Sequence, residues 1–347
     1  VSEACYLKWD VELPERPIKG VKYFGNLKEF VIDSGICSHC TTCANICPVR
    51  GITAGDKPID FPNWEELCVD CGACIRVCPR WNYVPLNGMG EFKEMVAAKS
   101  RRFTGQDGGM VTEIIASALE MGVIDRAIFV GRDDEWKPTI VHVKNIEQLE
   151  VERVRGTKYS FADVIVELRD AVFHTEKGVG VIGTPCMVSG VRKLQKTVRR
   201  YHDRVKVVIG LFCTENFYHH QLYSFLEEKG VDVKKIAKTD ITKGKFIATM
   251  ESGDTISIPV KEFEPIVPSG CKVCQDFSGV ESDVSVGSVG SPDGFSSVIV
   301  RTDVAKDIMD FIRKNDYAEL GEVKQTVIQK LVDFKIKIHP YPPKKKE

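Results

Sequence analysis

The chain has 347 residues, 43 % hydrophobic and 28 % charged, with a formal net charge of −1. Such a length exceeds one average domain, the composition is that of an ordinary globular protein, and the near-zero charge argues against nucleic acid as a partner. No apolar run reaches the length of a membrane span and the first residues do not read as a signal peptide, so the expected location is cytoplasmic, free or on the cytoplasmic face of a membrane complex.

Residues 1–30 carry Trp9, Pro14 and Pro17 without clear periodicity and are expected to be an N-terminal arm. Cys5 reads there as a buried bystander. Residues 31–85 are more telling. Cys37, Cys40, Cys43 and Cys47 precede Pro48, and Cys68, Cys71, Cys74 and Cys78 precede Pro79. Both runs are C-x2-C-x2-C-x3-C-P, the spacing of bacterial two-cluster ferredoxins. Three thiolates two residues apart can wrap three corners of one cubane, and the fourth reaches the other cluster. One [4Fe-4S] cluster is therefore expected on Cys37, Cys40, Cys43 and Cys78, and a second on Cys68, Cys71, Cys74 and Cys47. Structural zinc favours separated pairs, and a disulfide frame does not suit a chain without a secretory signal. Ile52 to Phe61 is expected to be a short hairpin, and Pro85 to Gly90 a linker.

The remainder, residues 86–325, reads as an α/β body. A strand begins at Val96–Ala98, and Gly108-Gly109 opens an amphipathic helix with Val111, Ile114, Ile115, Ala118 and Leu119 on its apolar side. Ala127–Val130 and Ile140–Val143 read as strands. Ser160 followed by Asp163 resembles a capping box for a helix over Phe161–Phe173. Two phrases then repeat: Val181-Ile182-Gly183-Thr184-Pro185-Cys186 and Val208-Ile209-Gly210-Leu211-Phe212-Cys213. Each is an apolar strand ending at glycine with a cysteine three residues later, and each precedes a helix, the second over Phe217–Glu228. Strands joined through a helix are normally parallel neighbours, so both thiols should emerge at one edge of one sheet. Residues 236–260 read as antiparallel, with strands at Phe246–Met250 and Thr255–Ile258. Cys271-x-x-Cys274 follows in a polar loop. Strands at Asp283–Val286 and Ser297–Val300 come next, and Thr302 is placed as the cap of a helix to Ile312. The end of the chain, 326–347, is a C-terminal extension whose last part, Lys335–Glu347, reads as a solvated tail.

The chemistry concentrates in a few places. Cys186, Cys213, Cys271 and Cys274 suit a third cubane; two structural cysteines plus a redox C-x-x-C pair, or a mononuclear zinc site, are the alternatives. Free N–H groups at the helix opening of Gly108 and Gly109 suit a diphosphate, or make only a turn. Arg155-Gly156-Thr157-Lys158-Tyr159-Ser160 suits an anionic cofactor tail or a solvated basic loop. Glu215 and Asn216 can hydrogen-bond a ring or cap the next helix. Gly287, Gly290 and Gly294 allow close approach of a flat cofactor, or are turns. His219 and His220 read as lying on a helix face. No nucleophile motif for hydrolysis is visible. Cubane clusters accept one electron at a time whereas most soluble reductants deliver hydride, so a chain joining the two needs a converter, usually flavin.

The segments Gly108-Gly109-Met110-Val111-Thr112, Gly183-Thr184-Pro185-Cys186, Leu211 to Phe217 and Gly290-Ser291-Pro292-Asp293-Gly294 resemble the family of beta subunits of coenzyme F420-reducing hydrogenase over about residues 90–320. The resemblance implies FAD, the deazaflavin coenzyme F420 as substrate, and a cubane cluster on Cys186, Cys213, Cys271 and Cys274. It places FAD against Gly108, Gly109, Met110 and Thr112, against Thr157, Lys158, Tyr159 and Ser160, near Thr184, Pro185, Glu215 and Asn216, and against Gly290, Asp293 and Gly294. Met187 stands where Gln is common in the family. A two-cluster ferredoxin fused ahead of such a body looks like the F-type components of reduced-F420 dehydrogenase complexes and the front half of F420-dependent sulfite reductases. The same fusion occurs in divinyl chlorophyllide and hydroxymethyl chlorophyll reductases. The expected activity is oxidation of reduced F420 by hydride transfer to FAD, with single electrons leaving through three [4Fe-4S] clusters to a redox partner protein or membrane-bound oxidoreductase complex. The alternative is a ferredoxin-dependent flavin reductase of a tetrapyrrole or other ring.

Overall fold

The computed structural model describes residues 13–150 and 156–342; Cys5, Arg155 and the tail beyond 342 lie outside them. Eleven strands occur among these residues: β1 (Glu94–Ser100), β2 (Arg126–Arg132), β3 (Pro138–Val143), β4 (Val179–Gly183), β5 (Val205–Leu211), β6 (Ile236–Thr242), β7 (Lys245–Met250), β8 (Thr255–Pro259), β9 (Val284–Gly287), β10 (Ser296–Val300) and β11 (Ala318–Gly321). Eight of them form a mixed sheet in the order β11-β1-β10-β9-β5-β4-β2-β3, and β6, β7 and β8 form a separate antiparallel sheet.

The middle of the large sheet is parallel: β2 pairs with β4, β4 with β5 and β5 with β9. Because β10 is antiparallel to both β9 and β1, β1 runs the same way as these four. Strands β4 and β5 are near-continuous Val, Ile and Gly, as burial on both faces requires. Helices α5 (Met110–Glu120) and α10 (Asp303–Lys314) cover one face, and α6 (Val164–His174) with α7 (Pro185–Thr197) covers the other.

Helices α1 (Tyr23–Leu27), α2 (Thr42–Ile46), α3 (Trp64–Leu67) and α4 (Ala73–Arg76) belong to the N-terminal ferredoxin-like unit, whose hairpin is reduced to one bridge between Thr53 and Asp60. Its small core sets Phe24 edge-on to Phe61 and tilted against Trp64, with ring centres 5.1 and 6.1 Å apart. Residues 23–30, expected in an arm, are instead helical and supply Tyr23, Phe24 and Leu27 to this core.

The unit is docked on the body by polar contacts. Asn45 Nδ2 donates to the Ile165 carbonyl at 2.5 Å, and Arg169 donates to the carbonyls of Asn45 and Cys47. Tyr201 Oη, from the short helix α8 (Arg199–Arg204), donates to Asn45 Oδ1. The expected capping box does not form. The Asp163 carboxylate accepts the Gly55 N–H, the Phe161 N–H is bound by the Phe217 carbonyl, and the helix starts only at Val164. Likewise α9 (His219–Glu228) starts two residues later than expected, and its first N–H groups donate to the carboxylate of Asp56 from the ferredoxin unit. Thr302 does precede α10, but its hydroxyl donates to Asp283 rather than to the helix.

The expected solvated tail is also overturned as far as residue 342. Residues Gln325–Ile338 form α11, which buries Ile328, Val332 and Lys335 against the body. Replacing Asp56 with Ala should cost about 1 kcal/mol through loss of the α9 cap, with Asp56→Asn losing less, as read by urea unfolding of the whole chain.

Candidate functional site

Because β1, β2, β4, β5 and β9 run together, their carboxyl ends share one edge, the usual location of ligands in open α/β sheets. The loop 101–109 leaves β1 there, Lys158 reaches the end of β2, Thr184 and Cys186 follow β4, Cys213 follows β5, and 288–294 joins β9 to β10. The equivalence of Gly183 and Gly210 in the β4–β5 register sets Cys186 and Cys213 on neighbouring strand exits. The Cys271–Cys274 loop is held to them by the Cys213 N–H, which donates to the Phe277 carbonyl at 3.0 Å, and by Cys271 Sγ, directed at the Asn216 carbonyl.

The thiols fall into three sets. Cys78 lies in the field of Cys40 and Cys37, and Cys43 in that of Cys40, Cys37 and Cys78, so the fourth cysteine of the second run joins the first three of the first run. Reciprocally Cys74 lies in the field of Cys71, Cys68 and Cys47. Cys213 is surrounded by Cys271, Cys186 and Cys274. Burial, then mutual repulsion, pushes Cys186 up to about 11 and Cys271 up to about 12. None of the twelve described cysteines is in a disulfide, and among the described residues no three His, Cys, Asp or Glu side chains gather tightly enough for a single metal ion. Four separated thiols per set fit a cubane, which shares their charge over iron and sulfide, better than a mononuclear zinc ion.

The three sets are contiguous. Cys186 Sγ lies 3.7 Å from the Ser38 carbonyl, and Cys37 feels Cys186. A Cβ on Gly270 would strike the Cys37 carbonyl, so only glycine lets the C-x-x-C loop lie against the first ferredoxin loop. At the far end Cys71 is exposed and Leu67 and Val69 are 55 and 59 % exposed, so this set meets the surface. The exposed Val49 stands on the same rim.

The remaining predicted loops also converge. Gln106 Oε1 accepts the Thr157 N–H at 2.8 Å, and the Asp107 carboxyl is held up by burial, then by Asp240 and Asp293, with Lys238 opposing. Gly109 adopts φ +68 as it opens α5, and a Cβ on Gly294 would meet open space. The Met110 side chain lies in the core, so only its backbone faces the loop. Tyr159 and Ser160 line, with Lys158, Trp136, His219 and Phe246, a shallow open groove. Lys158 Nζ donates to the Val130 carbonyl, and burial, then Arg132, lowers its pKa to about 7. Glu215 and Asn216 do not cap α9; Asn216 Oδ1 instead accepts the Phe217 N–H. His219 and His220 stand at the first turn of α9.

No motif points to two further residues of this region. Arg80 is 3 % exposed, and its guanidinium lies 3.9 Å from the Tyr83 ring centre. Nothing in its neighbours announces it. Lys335 is 1 % exposed and donates to the carbonyls of Cys213 and Asp276, both at 2.7 Å. Its signal is the 4-3-4 spacing of Ile328, Val332, Lys335 and His339, one helix face.

Comparison with known proteins agrees with this geometry. Residues 36–83 match a 4Fe-4S dicluster domain, 95–168 the N-terminal and 176–326 the C-terminal part of the coenzyme F420 hydrogenase/dehydrogenase beta subunit. The F component of the F(420)H(2) dehydrogenase of Methanosarcina mazei is 32 % identical over 88 % of this chain and 91 % of its own length. The chain belongs to the family of coenzyme F420 hydrogenase/dehydrogenase beta subunits. A coenzyme F420-dependent sulfite reductase of Methanocaldococcus jannaschii is 36 % identical over 88 % of the chain, which spans only 50 % of that relative. A chain of the F420-reducing [NiFe] hydrogenase complex from Methanosarcina barkeri superposes with a TM-score of 0.69 at 33 % identity, covering 74 % of this chain and 92 % of that one. The family members named here are oxidoreductases. No described helix is long and apolar enough to cross a membrane.

Two outcomes follow from the geometry. Gly270→Ala should lower bound iron, measured against protein, because the Cys37 loop must retreat from the body. Lys158 has a folded pKa below its unfolded value, so the folded state carries a penalty below pH 7 that fades as pH rises toward 10.5. Without a bound anion, Lys158→Met should therefore stabilise the chain at pH 6 and much less at pH 10, in thermal unfolding at both pH values.

Proposed function

We propose that the chain is an electron-input component that oxidises reduced coenzyme F420 and passes single electrons to a redox partner. The observation that carries this reading is the unbroken run of twelve thiols, from the sheet edge at Cys213 to the surface at Cys71. Cys186, Cys213, Cys271 and Cys274 hold the cluster nearest the α/β loops. Cys37, Cys40, Cys43 and Cys78 hold the middle one, and Cys68, Cys71, Cys74 and Cys47 the outermost. FAD, when bound, supplies the exchange between hydride and single electrons.

The residues around the loops each have a task in this scheme. The N–H groups opening α5 after Gly109 face a diphosphate, and Lys158 with Lys238 offsets its charge against Asp107, Asp240 and Asp293. Gly294, where a Cβ would meet open space, keeps a side chain away from the ring, whereas Gly290 makes room for Ile328 of α11, and Thr184 and Pro185 carry the ring beside Cys186. Electrons leave at the rim of Val49, Leu67 and Val69, where a partner can bring its own centre close to Cys71. Support for the substrate comes from the relatives, whose names carry F420 in dehydrogenase, hydrogenase and reductase alike.

Anaerobically prepared protein should contain about one flavin and about twelve irons per chain. Reduced F420 should bleach the flavin band rapidly while NADH leaves it unchanged. Protein with a full iron content and no flavin would refute the reading.

A further inference from the structure

Two buried cations border the set of Cys186, Cys213, Cys271 and Cys274, and neither belongs to the loops that carry those cysteines. Lys335 comes from α11 and grips the Cys213 and Asp276 carbonyls. Arg80 comes from the ferredoxin unit, two residues past Cys78. It rests on Tyr83, whose hydroxyl donates to the carbonyl of Val273 inside the C-x-x-C loop. Arg80 Nη1 is buried and has no hydrogen-bond partner among the described residues. A fully buried donor left open is costly, so its position calls for an acceptor, and the sulfur atoms of a cluster are the acceptors this site would bring.

The local anions offset these cations only in part. The Asp276 carboxylate is engaged by the N–H groups of Gly279 and Val280 and faces Arg301 as well as Lys335. Glu215 is half-buried in the field of Lys335, which is shared with the thiols. Adding an electron to a cubane makes its net charge one unit more negative. A fixed positive charge at short range and low effective dielectric stabilises that reduced form.

We propose that Lys335 and Arg80 are positioning residues that raise the reduction potential of the cluster on Cys186, Cys213, Cys271 and Cys274, with Arg80 also joining it to the ferredoxin cluster on Cys37. The proposal rests on the third-cluster reading above. Arg80 spans the gap as a donor between the two centres, since it lies in the fields of Cys274, Cys186 and Cys271 while Cys37 lies in its own. The potential of that cluster, when bound, would thereby be set by one residue of the ferredoxin unit and one of α11.

The test is an anaerobic redox titration followed by electron paramagnetic resonance on the full chain, with iron and sulfide counted in each sample. The relevant signal is the one abolished by Cys271→Ser. Lys335→Met and Arg80→Gln should each lower its midpoint by about 59 mV or more, a tenfold change in the one-electron equilibrium. Lys335→Arg and the exposed-site control Lys337→Met should stay near wild type. An uncharged variant that keeps its full iron and an unmoved midpoint overturns the proposal. So does loss of the third cluster from both uncharged variants, which makes the two residues merely structural. Wild-type protein with only about eight irons instead sinks the third-cluster reading itself.

Discussion

Sulfur anions crowded into a buried space repel one another, and the interior offers little dielectric to soften it. Here twelve such groups are packed in contiguous sets, and much of the surrounding structure manages that cost. Burial, then neighbouring sulfur, pushes the thiols of Cys37, Cys43, Cys74, Cys78, Cys186, Cys213 and Cys271 away from ionisation, an arrangement suited to centres that spread charge over several metal and sulfide atoms. Backbone N–H groups, two deeply placed cations and the closeness of the loops all serve this one requirement.

The large sheet supplies the geometry. Strands β1, β2, β4, β5 and β9 deliver their connecting loops to a single edge, which places two cysteines, a helix opening, a lysine and two glycine turns within reach of one another. The small antiparallel sheet and α9 then wall one side of that edge. The ferredoxin-like unit sits against α6 and α7 rather than at the end of a flexible tether, which brings its first cysteine loop against the body. The order of the sulfur sets is thus imposed by packing.

Much of this is legible from residue spacing. The paired C-x2-C-x2-C-x3-C-P runs predict the exchange of the fourth cysteines, and two apolar phrases ending in Gly predict neighbouring parallel strands. What escapes is contributed from a distance. The start of α9 is held by Asp56, 163 residues before His219, so no local capping pattern could reveal it. The helix expected at Phe161 is delayed because Ser160 and Phe161 pair with Phe217 instead. A lysine in a basic stretch suggests solvent, which hides Lys335, although its place in a face with Ile328 and Val332 points inward. Arg80 carries no local signature at all.

The two halves finish one another. Asp56 completes a helix of the body, Asp163 of the body completes the Gly55 turn, and Gly270 is small because Cys37 lies against it. The peptide between them, around the exposed Val84, is therefore a leash more than a hinge. Its contribution is to raise the local concentration of surfaces that already match. The same partnership is thus available to two separately encoded chains, and the wire is indifferent to whether one ribosome or two made its parts.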